Sequence, residues 1–261
     1  MSEYLSAQQV RQMHISDMGA ELGAVYHALW IEVAWLHAKW NQYRQLFAHS
    51  PERVALLNRA AGNFIGIVQD TLYDDVLLHL SRLADPPKSV GKDNLTLRRL
   101  PELVTDSALA MELPGLVQAA GKACASAARS SRNQRIAHRD LALALSGTFD
   151  PLPSRADVEA ALQAVRTVLR RLEVHYWQSE TAYQHFIPSG RDADSLVYYL
   201  KKGLRADEQR MERFRQGKPL DRDIGQVEIP TQQFPLEGTG LTLVLVLPLL
   251  ELFLALLEVL V

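Results

Sequence analysis

The stretch Arg132-Asn133-Gln134-Arg135-Ile136-Ala137-His138-Arg139-Asp140 holds the residues best suited to chemistry. Arg129, Arg132, Arg135 and Arg139 are spaced three, three and four apart, which puts four cations on one face of a helix. No acid stands between positions 129 and 139. Like charges this close repel unless an anion neutralises them. One reading is a solvated basic face, or salt bridges to carboxylates of a second subunit. The other is a stripe that binds phosphates.

His138 adds what a phosphate stripe lacks. Imidazole titrates near neutrality and serves as general base or acid. The Arg132 guanidinium stays protonated and stabilises negative charge building on a phosphorane. These two groups suffice to cleave RNA without a metal. A base takes the proton of a 2′-OH, its oxygen attacks the adjacent phosphorus, and the 5′-oxygen leaves. Only RNA carries that internal nucleophile. Six residues of unbroken helix correspond to about 600° of rotation, so Arg132 and His138 would face different sides. Either the helix breaks before His138, or the same motif of a second chain completes the site. Both alternatives favour a symmetric dimer with a composite cleft.

Spacing alone is not specific. An arginine precedes a histidine by four to six residues at His49, His138 and His175. Only at His138 does a small polar residue, Asn133, follow the arginine, and only there does the pair sit within an arginine stripe. His49 reads as a helix C-terminal residue and His175 as a neighbour of a core stripe. His138-Arg139-Asp140-Leu141 imitates a kinase catalytic loop, but Leu145 stands where that loop needs asparagine and no glycine-rich phosphate loop exists. Asp70, Asp74, Asp75 and His79 gather on one helix, where a solvated or ion-paired edge is the expectation over a metal site. Trp30, Trp35, Trp40 and Tyr43 read as core or interface aromatics.

The elements that must position these residues are helical. Val25, Leu29, Val33, Leu36, Trp40, Tyr43 and Phe47 form one apolar stripe at steps of three and four. Ser50-Pro51-Glu52 then reads as an N-cap followed by proline at the first helical position. A second stripe runs from Val54 through Leu57, Phe64, Val68 and Leu72 to Leu83, and Asp85-Pro86-Pro87 stops it. Residues 85–94 have loop composition, with Asn94 expected to cap a short helix over 95–100. A third long helix is expected from near Pro114 to about His138. Ser154 and Asp157 make an acidic variant of a capping box for the stripe Val158, Leu162, Val165, Leu169, Leu172 and Tyr176, expected to end at Pro188-Ser189-Gly190. Asp194 to Arg215 reads as one more charged helix. Residues 201–218 carry seven cations against three acids, which makes either a solvated surface or a guide for RNA.

These helices can offset their ordering entropy only by packing together, so an all-α bundle is expected. Its organisation reads as a helical bundle over 1–186, a charged helix over 187–217, an irregular linker over 218–240 and an apolar tail over 241–261. The tail has an uncharged run of 13 residues containing Pro248, followed by Glu251 and Glu258. That is short of the roughly 20 apolar residues of a spanning helix. Packing on the bundle or a sister subunit, a membrane anchor, and a tail foreign to the fold all stay open. In 261 residues with net charge −2, nothing global points to nucleic acid. The single cysteine, Cys124, excludes an internal disulfide framework or a multi-cysteine zinc site. With no secretory pattern in Met1-Ser2-Glu3-Tyr4, a cytoplasmic setting is expected, the alternative being membrane association through the tail.

Arg132-Asn133-Gln134-Arg135-Ile136-Ala137-His138 resembles the Arg-polar-x-x-x-x-His signature of the HEPN superfamily, all-α domains common in toxin–antitoxin and phage-defence systems. The surroundings are similar to its abortive-infection-like subfamily over residues 20–185: Trp40 to Phe47, Ser50-Pro51-Glu52, Asp74-Asp75-Val76, Leu80-Ser81-Arg82-Leu83-Ala84-Asp85-Pro86 and Asn94-Leu95-Thr96-Leu97. The resemblance implies a dimeric bundle with metal-independent endoribonuclease activity at the subunit interface, using no cofactor. It implies that Arg132 and His138 are catalytic and that Asn133 orients them. Arg129, Arg135 and Arg139 would hold flanking phosphates. RNA, a second copy of the chain and an antitoxin or other defence protein are the partners expected. A non-catalytic HEPN module that binds RNA, a nucleotide or a protein is the alternative. Asp140 stands where some members carry a tyrosine modified by nucleotidylation, so that regulation is not carried over.

Overall fold

The computed structural model describes residues 6–131, 141, 145, 152–185 and 192–224. The chain divides into two compact units, Met1–Ala206 and Asp207–Val261. The described residues of the first unit form an all-α bundle whose only strands among them are a two-residue pair.

Helix α1 (Ala7–Met18) opens the unit, capped by Ser6 and Gln9 in a reciprocal capping box. No apolar stripe announces this helix, and only His14 and Met18 are buried on it. It meets α2 (Ala20–Phe47) at Gly19, whose positive φ of 87° turns the chain between them. The two helices cross at Gly23, where an added Cβ would stand 2.3 Å from the carbonyl oxygen of His14. Helix α2 buries Leu22, Tyr26, Leu29, Val33, Leu36, Trp40 and Tyr43, close to the expected stripe. Trp35, read as a core or interface aromatic, lies outside the core at 61% exposed.

Helix α3 (Pro51–Leu83) begins as its sequence predicts: Ser50 accepts from the Arg53 N–H and Pro51 occupies the first turn. Ala61 interrupts it with a non-helical conformation. Just past that break Phe64, expected in the core, is 63% exposed and Ile65 is buried instead, while Val76, Leu80 and Leu83 follow the expected stripe. After α3 the loop contains a short hairpin, β1 (Lys88–Ser89) with β2 (Lys92–Asp93), closed by Val90 and Gly91 at positive φ. Asn94 does not cap the next helix. Its amide is occupied by Pro86 O at 2.8 Å and Ser89 Oγ at 2.9 Å. Thr96 is the cap instead, leading a 3-10 turn (Leu97–Arg99) into α4 (Leu100–Leu103). The Thr96 hydroxyl lies within hydrogen-bond distance of Leu83 O and Asp85 O, tying the turn to the end of α3.

Helix α5 (Ser107–Ser131) starts seven residues before the expected Pro114, which lies inside it. Asp106 supplies the missing start signal by accepting from the Leu109 N–H at 2.9 Å. Helix α6 (Arg155–Trp177) has the expected capping box of Ser154 and Asp157. It ends at Trp177, well before Pro188, because Gln178 turns left-handed. Helices α2, α3, α5 and α6 enclose the main core, with Leu109, Leu113, Ala120 and Cys124 of α5 facing Leu162, Val165, Leu169 and Leu172 of α6. A smaller apolar cluster joins Leu46, Leu57 and Ile65 to Ala193 and Val197 of α7 (Ala193–Arg215). In the second unit, the end of α7 is held to α8 (Asp221–Ile224) by a two-pronged pair, Arg213 to both carboxylate oxygens of Asp223 at 2.6 Å. That guanidinium holds the Asp223 carboxyl well below the usual carboxylate range. No helix among the described residues is long and apolar enough to cross a membrane.

Candidate functional site

Arg132, Asn133, Arg135, His138 and Arg139 lie outside the described residues, as does the tail over 241–261; of Arg129 only its place in the α5 backbone is described. The frame that delivers them is described. Helix α5 runs to Ser131, the residue before Arg132, and the chain is described again from Leu152.

Ion pairs fix how α5 lies on α6. Arg171 Nε donates to Glu112 Oε2 at 2.5 Å, and His175 Nε2 approaches Asp106 Oδ2 at 4.0 Å. The start of α5 therefore lies beside the end of α6, an antiparallel pair. Followed along both helices at about 1.5 Å per residue, that register brings Ser131 to the end of the bundle that holds Leu152, Pro153 and Ser154. The Tyr73 hydroxyl donates to the Pro153 carbonyl there, pinning the returning chain to α3. Tyr73 is buried and its ring lies 5.2 Å from that of Tyr43. Trp40 stacks on Tyr43 at 5.1 Å and an interplanar angle of 6°, and donates through Nε1 to Glu159 at 2.7 Å.

At this end a cavity of about 340 Å³ opens between α2, α3 and the start of α6. Tyr43, Phe47 and Tyr73 line it with aromatic rings, while Gln69, Asp70 and Arg155 bring polar groups to it. Arg155 reaches across to the Ala48 carbonyl at 3.5 Å. Among the described residues Asp70 makes no hydrogen bond or ion pair. Of the lining residues, Tyr43, Phe47 and Asp70 stand out in the sequence. Gln69, Tyr73 and Arg155 carry no local signal, since what joins them is the packing of three helices.

The other sequence candidates resolve as structural groups. Asp75 pairs with Lys39 at 2.6 Å and His79 with Glu32 at 2.7 Å, the ion-paired helix edge that was expected. Burial lowers the His79 pKa, against the opposing pull of Glu32. No group of three His, Cys, Asp or Glu side chains among the described residues is placed to hold a metal. Cys124 is fully buried, which pushes its thiol up to about 12 and leaves it unreactive. His175 is exposed beside Asp106, and His49 follows the end of α2.

An all-α bundle, with an Arg-polar-x-x-x-x-His segment following α5 in the sequence, is the combination expected of a HEPN-type domain. A family model described as AbiU2, of the HEPN group, matches residues 19–196, more than half of the chain. The protein therefore belongs to this abortive-infection-like HEPN family. The match begins at Gly19, between α1 and α2, and contains the whole of 129–139. No curated protein and no solved structure matches the chain.

Proposed function

We propose that this protein is a metal-independent endoribonuclease that acts in phage defence or as a toxin. The observation that carries the reading is membership of the AbiU2 HEPN family over 19–196, with Arg132, Asn133 and His138 in the signature order directly after α5. His138 takes the 2′-OH proton and, as the acid, returns one to the departing 5′-oxygen. Arg132 stabilises the charge on the phosphorane and Asn133 holds the two in position. Arg129, Arg135 and Arg139 hold the flanking phosphates. Two copies of the chain bring their motifs together in one cleft, and an antitoxin or another defence protein restrains it in the cytoplasm.

The test is incubation of the purified chain with RNA in EDTA. Fragments ending in 2′,3′-cyclic phosphate, absent with His138→Ala, are the expected result. RNA that survives wild-type protein intact, yet is retained by it, makes the protein a binding module instead. Cleavage by His138→Ala at the wild-type rate overturns the assignment of the base.

A further inference from the structure

The cavity between α2, α3 and the start of α6 stands at the bundle end where α5 hands the chain to Arg132, and its chemistry is that of a base-binding pocket. Its volume, about 340 Å³, falls in the roughly 300–1,000 Å³ range of ligand clefts. Three aromatic side chains line it: Tyr43 and Tyr73, buried and 5.2 Å apart, form its floor, and Phe47, half-buried and 5.2 Å from Tyr43, is the ring most open to a base. Proteins that read single-stranded RNA stack unpaired bases on such rings and hydrogen-bond their Watson–Crick edges. Besides the two phenol hydroxyls, of which that of Tyr73 is taken up by the Pro153 carbonyl, the polar side chains here are one carboxylate, one primary amide and one guanidinium.

We propose that this cavity is a guanine subsite, in which Asp70 and Gln69 read the base and Arg155 holds an adjoining phosphate. The inference rests on the ribonuclease reading for its biological substrate, RNA. The choice of guanine follows from the carboxylate. Asp70 accepts only, through two oxygens side by side. Guanine alone among the four RNA bases presents two adjacent donors, N1–H and the N2 amine. Adenine and cytosine place a ring acceptor beside their amine, and uracil flanks its single N–H with two carbonyls, so each sets a lone pair against the carboxylate. The amide of Gln69, next to Asp70 in the chain, supplies a donor for guanine O6. Arg155 follows the N-cap Ser154 and lies across the mouth from Ala48, where a phosphate on the ribose of the bound base meets a guanidinium.

The experiment is titration of the full chain with the four nucleoside monophosphates and with IMP, followed by tryptophan fluorescence and calorimetry. These ligands hold no phosphodiester, so the result is independent of catalysis. GMP is expected to bind at least about tenfold more tightly than AMP, CMP or UMP, and IMP, which lacks the N2 amine, to fall in between. Asp70→Asn is expected to weaken GMP about tenfold, and circular dichroism checks that this exposed substitution leaves the fold intact. Equal affinities for all nucleotides, or GMP binding unchanged by Asp70→Asn, overturn the subsite. A wild-type protein that binds GMP in this pattern and cuts no RNA overturns the ribonuclease reading while leaving the subsite standing.

Discussion

The Tyr26 hydroxyl on α2 donates to Oε1 of Glu173 on α6 at 2.8 Å, a contact that spans 147 positions of the chain. The same oxygen receives the Tyr183 hydroxyl at 2.5 Å, and the other receives the Thr181 N–H at 2.7 Å. Glu173 is only 2% exposed, so three donors from α2 and the α6 exit loop converge on a carboxylate shut off from water. Burial, reinforced by that negative charge, raises the pKa of both phenols and keeps them as donors.

Removing the acceptor should therefore be costly. Glu173→Ala leaves two buried hydroxyls and an amide without a partner, at about 1–3 kcal/mol each before relaxation. A loss of at least about 3 kcal/mol is expected in urea unfolding. Tyr26→Phe removes one donor and leaves the carboxylate its other two, so a loss of about 1.5 kcal/mol is expected. Equal, small effects from both would show that the carboxylate is not the organising group.

Gly23 controls whether α1 stays docked. An added Cβ would meet the His14 carbonyl oxygen at 2.3 Å and Ile15 Cα at 2.6 Å, both main-chain atoms that cannot swing aside. Gly23→Val should push α1 off α2 and expose the His14 and Met18 face. Protease should then cut within 7–18 many times faster than in the wild type, with a loss of about 1–3 kcal/mol in overall stability. Gly62→Ala, at a helical glycine with open space around it, should leave cleavage unchanged.

Acid should weaken the fold through its histidines. His37 is buried against Tyr183, and burial, with the Arg166 guanidinium adding to it, brings its pKa down to about 4. His14 and His27, whose Nδ1 atoms lie 3.1 Å apart, are also lowered, chiefly by burial. A lowered folded-state value means that the unfolded chain binds protons first. The contribution of His37 is therefore whole above the ordinary value of 6.5 and is lost as pH falls toward 4. The loss across that window amounts to about 3 kcal/mol from this residue. Urea melts at pH 7.5, 6 and 5 should show the decline, and His37→Phe should make it shallower, leaving the part due to His14 and His27. The same slope in His37→Phe would assign the effect elsewhere.

What could be read without coordinates was local chemistry. Ser50-Pro51 and Ser154 with Asp157 mark helix starts because the capping groups are neighbours in the chain. Asn94 misled because its amide has a competing use in the loop, which only the fold reveals. Helix α1 was invisible because its docking depends on a notch at Gly23, and its own sequence has no apolar face. The same division holds at the site. The pattern at 132–138 is contiguous and so stands out in the sequence, though it lies outside the described residues, whereas a cavity built from Tyr43, Asp70 and Arg155 joins residues scattered over more than a hundred positions.

The motif also makes a prediction about how many chains form one site. On an unbroken helix, six residues turn Arg132 and His138 away from each other by about 120° net of whole turns. A site drawing its arginine from one protomer and its histidine from the other removes that conflict without bending the helix. Arg132→Ala and His138→Ala proteins should each be inactive alone. Unfolded together and refolded as an equal mixture, half the dimers pair one of each, and one of their two sites then holds an intact arginine and an intact histidine. About a quarter of wild-type activity should return, the fraction that random pairing in a two-fold dimer gives. Had each chain formed its own site, every site in the mixture would lack one group, and RNA would stay intact however long the proteins were refolded together.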